Sequence, residues 1–155
     1  MKLRFKRKQI IMVIILAFLA LFIGWTVWGN LTIGTTHYEI AFENLPSSFE
    51  GYKIAQISDL HNAKFGENNA RAIEILHEEN PDMIAITGDL IDSNRTDIDI
   101  AVRFMQQAVR IAPCYFVTGN HEAWIGEDYQ QLEKKMIDVG VRVLHDEVLP
   151  IYKDG

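Results

Sequence analysis

Three short stretches of this 155-residue sequence carry the side chains best suited to chemistry: "SDLH" at 58–61, "GDLID" at 88–92 and "GNHE" at 119–122. They supply Asp59, His61, Asp89, Asp92, Asn120, His121 and Glu122, and the leading polar residues Asp59, Asp89 and Asn120 lie 30 and 31 residues apart. Taken singly, each stretch is ordinary turn chemistry. Taken together they put carboxylates and imidazoles at the same place in three successive units. Like charges gathered without a cation resist joint ionisation. A divalent metal removes that conflict, and mixed oxygen and imidazole donors suit Mn, Fe or Zn.

The elements that must position these residues are legible in the spacing. Apolar runs at 52–58 ("YKIAQIS"), 82–87 ("DMIAIT"), 114–118 ("CYFVT") and 141–144 ("VRVL") read as strands. Between them the periodicity predicts helices over about Glu67–Asn80, Thr96–Ala112 and Glu127–Val139. Ala70, Ile73 and Leu76 mark the first apolar face. Thr96 and Asp99 have capping-box spacing for the second helix, and Gly140 suits the C-terminal end of the third. "THYEIAF" (35–42) alternates as an additional first strand. Strand–helix–strand alternation with near-continuous apolar strands predicts an α/β domain whose parallel sheet is covered on both faces. In such sheets the functional crevice lies beyond the carboxyl ends of the strands, where all three polar stretches fall.

The N-terminus is different in kind. Lys2, Arg4, Lys6, Arg7 and Lys8 precede Ile10–Trp28, 19 apolar residues interrupted only by Gly24 and Thr26. That length crosses a bilayer as a helix, and Trp25 and Trp28 suit its far interface. The basic flank predicts a cytoplasmic N-terminus over 1–9, a signal anchor over 10–29 and an extracytoplasmic domain over 30–155. A cleaved signal peptide is the rival, but "GWTVWGN" offers no small-x-small site.

After Lys8 the chain holds 10 basic and 21 acidic residues, a body of about −11. It would repel a phosphate backbone, which argues against nucleic-acid binding. The single cysteine, Cys114, excludes an internal disulfide and reads as a small buried hydrophobe.

The order D-x-H, G-D-x-x-D, G-N-H-E resembles the calcineurin-like metallophosphoesterases, above all their bacterial membrane-anchored branch. "GYKIAQISDLHNAKFG" and "PDMIAITGDLID" carry most of the likeness, which runs from about Thr35 to Gly155. The resemblance implies the N-terminal half of a four-layer α/β/β/α sandwich around two divalent ions. It implies Asp59 and His61 on the first ion, Asp89 bridging both and Asn120 on the second. His121 would be the general acid and Asp92 would orient its imidazole. Two cations about 3.5–4 Å apart share a hydroxide and clamp phosphoryl oxygens for in-line attack, and a positioned imidazolium then protonates the leaving oxygen.

The family pattern continues with G-H and G-H-x-H motifs, whereas this sequence has only His145 after His121. Neither His145, His37 nor His77 takes a ligand role. "VLPIYKDG" reads as a strand entering a hairpin turn. The expectation is a truncated phosphoesterase, inactive alone because the second metal lacks its histidines, acting by ancestry on phosphoesters. Tethering to a membrane makes lipid-linked phosphoesters candidate substrates. A non-catalytic, membrane-anchored module that binds a metal or a partner is the alternative. The sequence assigns no oligomeric state.

Overall fold

The computed structural model describes residues 2–153, with side chains from Lys6 onward. The chain divides into two compact units, one up to Thr36 and one from His37. The first is a single helix, α1 (Lys2–Leu31), which extends back through the basic cluster. Its stretch Lys6–Leu31, with mean hydropathy 2.9, is long and apolar enough to cross a membrane. Near its C-terminal end two polar side chains bond within the helix: Thr26 Oγ1 donates to the Phe22 carbonyl at 2.8 Å and Asn30 Nδ2 to that of Thr26 at 2.8 Å. This i−4 pairing is what a hydroxyl or amide needs where water is absent.

The second unit alternates strands and helices: β1 (Ile54–Ile57), α2 (Ala70–Glu79), β2 (Met83–Thr87), α3 (Ile98–Ala108), β3 (Cys114–Val117), α4 (Asn120–Trp124), α5 (Asp128–Asp138) and β4 (Arg142–Val143). The sheet is wholly parallel in the order β1-β2-β3-β4. Each connection therefore steps one strand in the same direction, and right-handed crossovers place every connecting helix on the same face. Alternate strand residues confirm it. Ile84, Ile86, Cys114 and Phe116 are buried in one cluster with Ile73 and Leu76 of α2, Phe104 and Met105 of α3, and Leu132 and Met136 of α5.

The expectation of a sheet covered on both faces is thereby corrected. On the other face Ile54 is 60% and Val117 39% exposed, and polar partners appear: Gln56 Nε2 donates to Thr87 Oγ1 at 2.9 Å. The sheet is half buried because its crossovers never reverse direction.

Other expectations shift locally. Residues 35–42 form no strand, since no described strand pairs with them and only Leu45 N to Phe42 O closes a turn there. Ala70, the first residue of α2 after the left-handed Asn68 and Asn69, is exposed, whereas Ile73 and Leu76 are buried as expected. Asp97, not Thr96, caps α3 by accepting the Ile100 amide at 3.2 Å. Asp99 reaches across to Lys135 at 2.7 Å instead of closing a capping box. Gly140, at φ 97°, ends α5 as expected, and its amide donates to the Ile137 carbonyl at 2.9 Å. Residues 148–152 are not a strand, and the Asp-Gly turn expected at 154–155 lies outside the described residues. Cys114 is buried, which pushes its thiol up to about 12. His37 and His145 pair with Glu79 and Glu133, and His77 is exposed on α2.

Candidate metal centre

The loops after β1, β2 and β3 are laced together at the carboxyl edge of the sheet. The amides of Asp59, His61 and Asn62 donate to the carbonyls of Gly88, Asp89 and Leu90 at 3.2, 2.9 and 3.1 Å. To make this ladder Asp59, His61, Asn62 and Asp89 all take left-handed backbone conformations, with φ between 47 and 57°. Such conformations cost energy for side chains other than glycine, and they cluster where a site needs a particular geometry. Gly88 takes φ 91°.

The loop after β3 turns at once into α4, an element the sequence reading missed. This turn brings His121 back over the β2 loop. The His121 amide donates to Asp89 Oδ1 at 2.9 Å, which fixes the orientation of the carboxylate. One ligand atom each from His61, Asp89 and His121 lie within 4.8 Å of one another. The two imidazoles meet edge to face, with ring centroids 4.4 Å apart.

The remaining expected residues surround this group. Asp59 Oδ1 lies 3.6 Å from His61 Nε2, with its side chain 65% exposed, outside the mutual 4.8 Å set. Asn120 is the first residue of α4 and is exposed. Asp92 lies behind the imidazole of His121, its Oδ1 3.9 Å from Nδ1, beyond hydrogen-bond reach. Its carboxylate instead accepts the Asn94 amide at 2.8 Å and faces Arg95 at 3.4 Å. The Asn94 amide, and after it the Arg95 guanidinium, holds the Asp92 carboxyl below the usual carboxylate range.

Nδ1 of His121 has a different partner. It accepts the Ser93 amide at 3.0 Å, with Ser93 Oγ at 3.2 Å. A nitrogen that accepts from a backbone N–H carries no proton, so the neutral ring holds its hydrogen on Nε2. That tautomer makes Nε2 a donor. His61, Asp89 and the adjoining Asp59 are the oxygen and imidazole donors that fit a divalent ion.

Four residues with no expected role support the site. Glu122 is completely buried; its Oε2 accepts the amides of Asp89 and Gly119, both at 2.8 Å, and its Oε1 that of Ile91 at 3.1 Å. Its place in "GNHE" was the available signal. Asn62 accepts the Asp92 amide at 2.6 Å and donates to the Asp97 carbonyl at 2.7 Å. Trp124 stacks at 5.1 Å from the His121 ring while remaining 67% exposed. Ser93 acts through its main chain, for which sequence offers no signal.

Comparison with known proteins identifies the family. Residues 52–153 match the family profile described as calcineurin-like phosphoesterase. The chain belongs to that family. Its α/β layers are those of a metallophosphoesterase domain. It is 29% identical over 117 residues to a "transmembrane protein with metallophosphoesterase domain" of Danio rerio, covering 74% of this chain and 26% of that protein. It is 31% identical over 116 residues to an uncharacterized metallophosphoesterase of Aquifex aeolicus (strain VF5), covering 74% and 43%. To the metallophosphoesterase YkuE of Bacillus subtilis (strain 168) it is 38% identical over 66 residues, covering 41% and 23%. The chain thus spans about a quarter to under half the length of these relatives. No solved structure gives a significant match.

Proposed function

We propose that these residues form the first part of a two-ion phosphoester hydrolase centre on a membrane anchor. The observation that carries the reading is the convergence of His61, Asp89 and His121 within 4.8 Å from three different strand tips. Bound divalent ions would supply Lewis-acid activation of water and neutralise charge on the phosphoryl oxygens. Asp59 and His61 would hold one ion and Asn120 a second. Asp89, its carboxylate oriented by the His121 amide, would contribute to both.

His121 is the general acid of this reading. In the neutral ring Ser93 keeps the hydrogen on Nε2. To act as acid the ring would first take a second proton on Nδ1, turned from the Ser93 amide toward the Asp92 carboxylate 3.9 Å away. The Nε2 proton of that imidazolium would then pass to the leaving oxygen, returning the ring to its neutral form. Asp92 acts by shaping the 92–95 turn that aims the Ser93 amide at Nδ1, and by its charge 3.9 Å from that nitrogen.

The donors within residues 1–155 are too few to complete two ions, since His145, the sole histidine after His121, is paired with Glu133. Efficient turnover therefore needs donors from outside these residues. The basic cluster and apolar helix support a single-pass anchor with its N-terminus cytoplasmic. Phosphoesters on lipid head groups follow as substrates by proximity.

The test is metal binding and turnover by residues 1–155 in detergent micelles. Calorimetric titration with Mn²⁺ is expected to give tight binding of one ion per chain. Bis(p-nitrophenyl) phosphate should be cleaved only once a chain carrying the family's histidine motifs is added. Tight binding with no phosphoester cleavage, even after a chain carrying the family's histidine motifs is added, would favour a non-catalytic metal-binding module. Absence of Mn²⁺, Zn²⁺ and Fe²⁺ binding would end the hydrolase reading.

A further inference from the structure

We infer that Glu122 is a positioning residue that holds the Asp89 and His121 loops together before any ion arrives; the inference rests on the metal reading above. Glu122 is wholly inaccessible to solvent, so it contacts neither ion nor substrate. Its role is set by what its two oxygens accept. Oε2 takes the amide of Asp89, after β2, and that of Gly119, after β3, and Oε1 takes the amide of Ile91. One side chain thus ties both ligand-bearing loops to a single point.

The arrangement is closed by a return bond. Asp89 donates its amide to Glu122, and Asp89 Oδ1 accepts the amide of His121, the residue before Glu122. The two carboxylates therefore interlock the loops from opposite directions. A buried carboxylate is costly unless hydrogen-bonded, and three N–H donors meet that need. No neutral side chain of the same shape reproduces it. A glutamine must turn its NH₂ either toward the Ile91 amide or toward the pair from Asp89 and Gly119, donor against donor. The milder orientation abandons Ile91 alone, whereas alanine abandons all three.

The consequence is a graded effect on metal affinity. Groups that orient ligands without touching the metal typically alter affinity about 10- to 100-fold. Glu122→Gln is expected near the lower end and Glu122→Ala near the upper end.

The experiment uses the full chain in detergent micelles, with Mn²⁺ titration of wild type and Glu122→Gln, and circular dichroism to verify equal folding. Amide exchange by NMR is followed in the metal-free proteins. Positioning predicts that the Asp89, Ile91 and Gly119 amides are protected in the wild type before Mn²⁺ is added. It predicts that Glu122→Gln loses protection at Ile91 first and binds Mn²⁺ about tenfold more weakly. Unchanged Mn²⁺ affinity in a folded Glu122→Gln overturns the inference. So does protection of the three wild-type amides that appears only after Mn²⁺ is added, a measurement needing no variant. A wild type that binds no Mn²⁺ despite protected amides instead refutes the metal reading.

Discussion

Gly88 and Gly119 meet backbone to backbone: a Cβ built on Gly88 would lie 2.6 Å from the Cα of Gly119. The tips of β2 and β3 can approach this closely only because neither carries a side chain. The contact puts Asp89 beside Gly119, where a Cβ would fall 2.5 Å from the Asp89 amide nitrogen. Gly119 has an ordinary extended backbone, φ −95°, so its substitution tests the steric term alone. Gly119→Ala should push the Asp89 loop away, costing about 1–3 kcal/mol as overpacking does, and should weaken Mn²⁺ binding. Urea unfolding with Mn²⁺ titration measures both, and a fully stable variant with native affinity would show that the close approach is dispensable.

Tyr129 has a buried hydroxyl with no hydrogen-bond partner among the described residues. Desolvation, then the charges of Glu133 and Glu122, pushes its pKa up to about 12. A raised phenol pKa contributes stability below its unfolded value near 10, lost as pH rises toward 12. Tyr129→Phe is expected to be as stable as wild type or more so, by up to about 1 kcal/mol. Its stability should also fall less between pH 10 and 12. Thermal unfolding at pH 8 and pH 11 makes the comparison, and a clear loss of stability at pH 8 would mean the hydroxyl has a partner.

The strand tips were legible because short apolar runs ending in Gly-Asp or Gly-Asn leave few alternatives to a parallel α/β edge. Family motifs then identified Asp59, His61, Asp89 and His121 as neighbours. What sequence could not convey was handedness and main-chain traffic. Four strands stepping one way leave Ile54 and Val117 on an open face; the likeness to half of a four-layer sandwich implies one uncovered face, but no local pattern encodes it. Residues 35–42 alternate like a strand, yet alternation creates no pairing partner. Asp92 was expected to bond His121, but the Ser93 amide occupies Nδ1, and any residue except proline supplies an amide. Glu122 was visible in the motif, but its burial depends on the fold of α4.

Asp92 offers a pH test of the turn behind His121. Its carboxyl lies below the usual range chiefly through the Asn94 amide. A depressed carboxyl contributes stability above its unfolded pKa near 4, and that contribution disappears as pH falls through the folded value. Asp92→Asn should therefore be less stable than wild type at pH 7, and the gap should narrow as pH falls below the ordinary carboxylate range. Urea denaturation across that range reads the difference. A gap that persists undiminished at pH 2 would place the effect elsewhere.

On the proposed reading Asp89 and His61 hold a divalent ion at the edge of the sheet. Its most direct test is Mn²⁺ titration of the wild-type chain, Asp89→Asn and His61→Ala, followed by electron paramagnetic resonance of free Mn²⁺. Tight binding is expected in the wild type, with a loss of more than about tenfold, over about 1.4 kcal/mol, in each variant. Equal Mn²⁺ affinity in wild type and Asp89→Asn would contradict it.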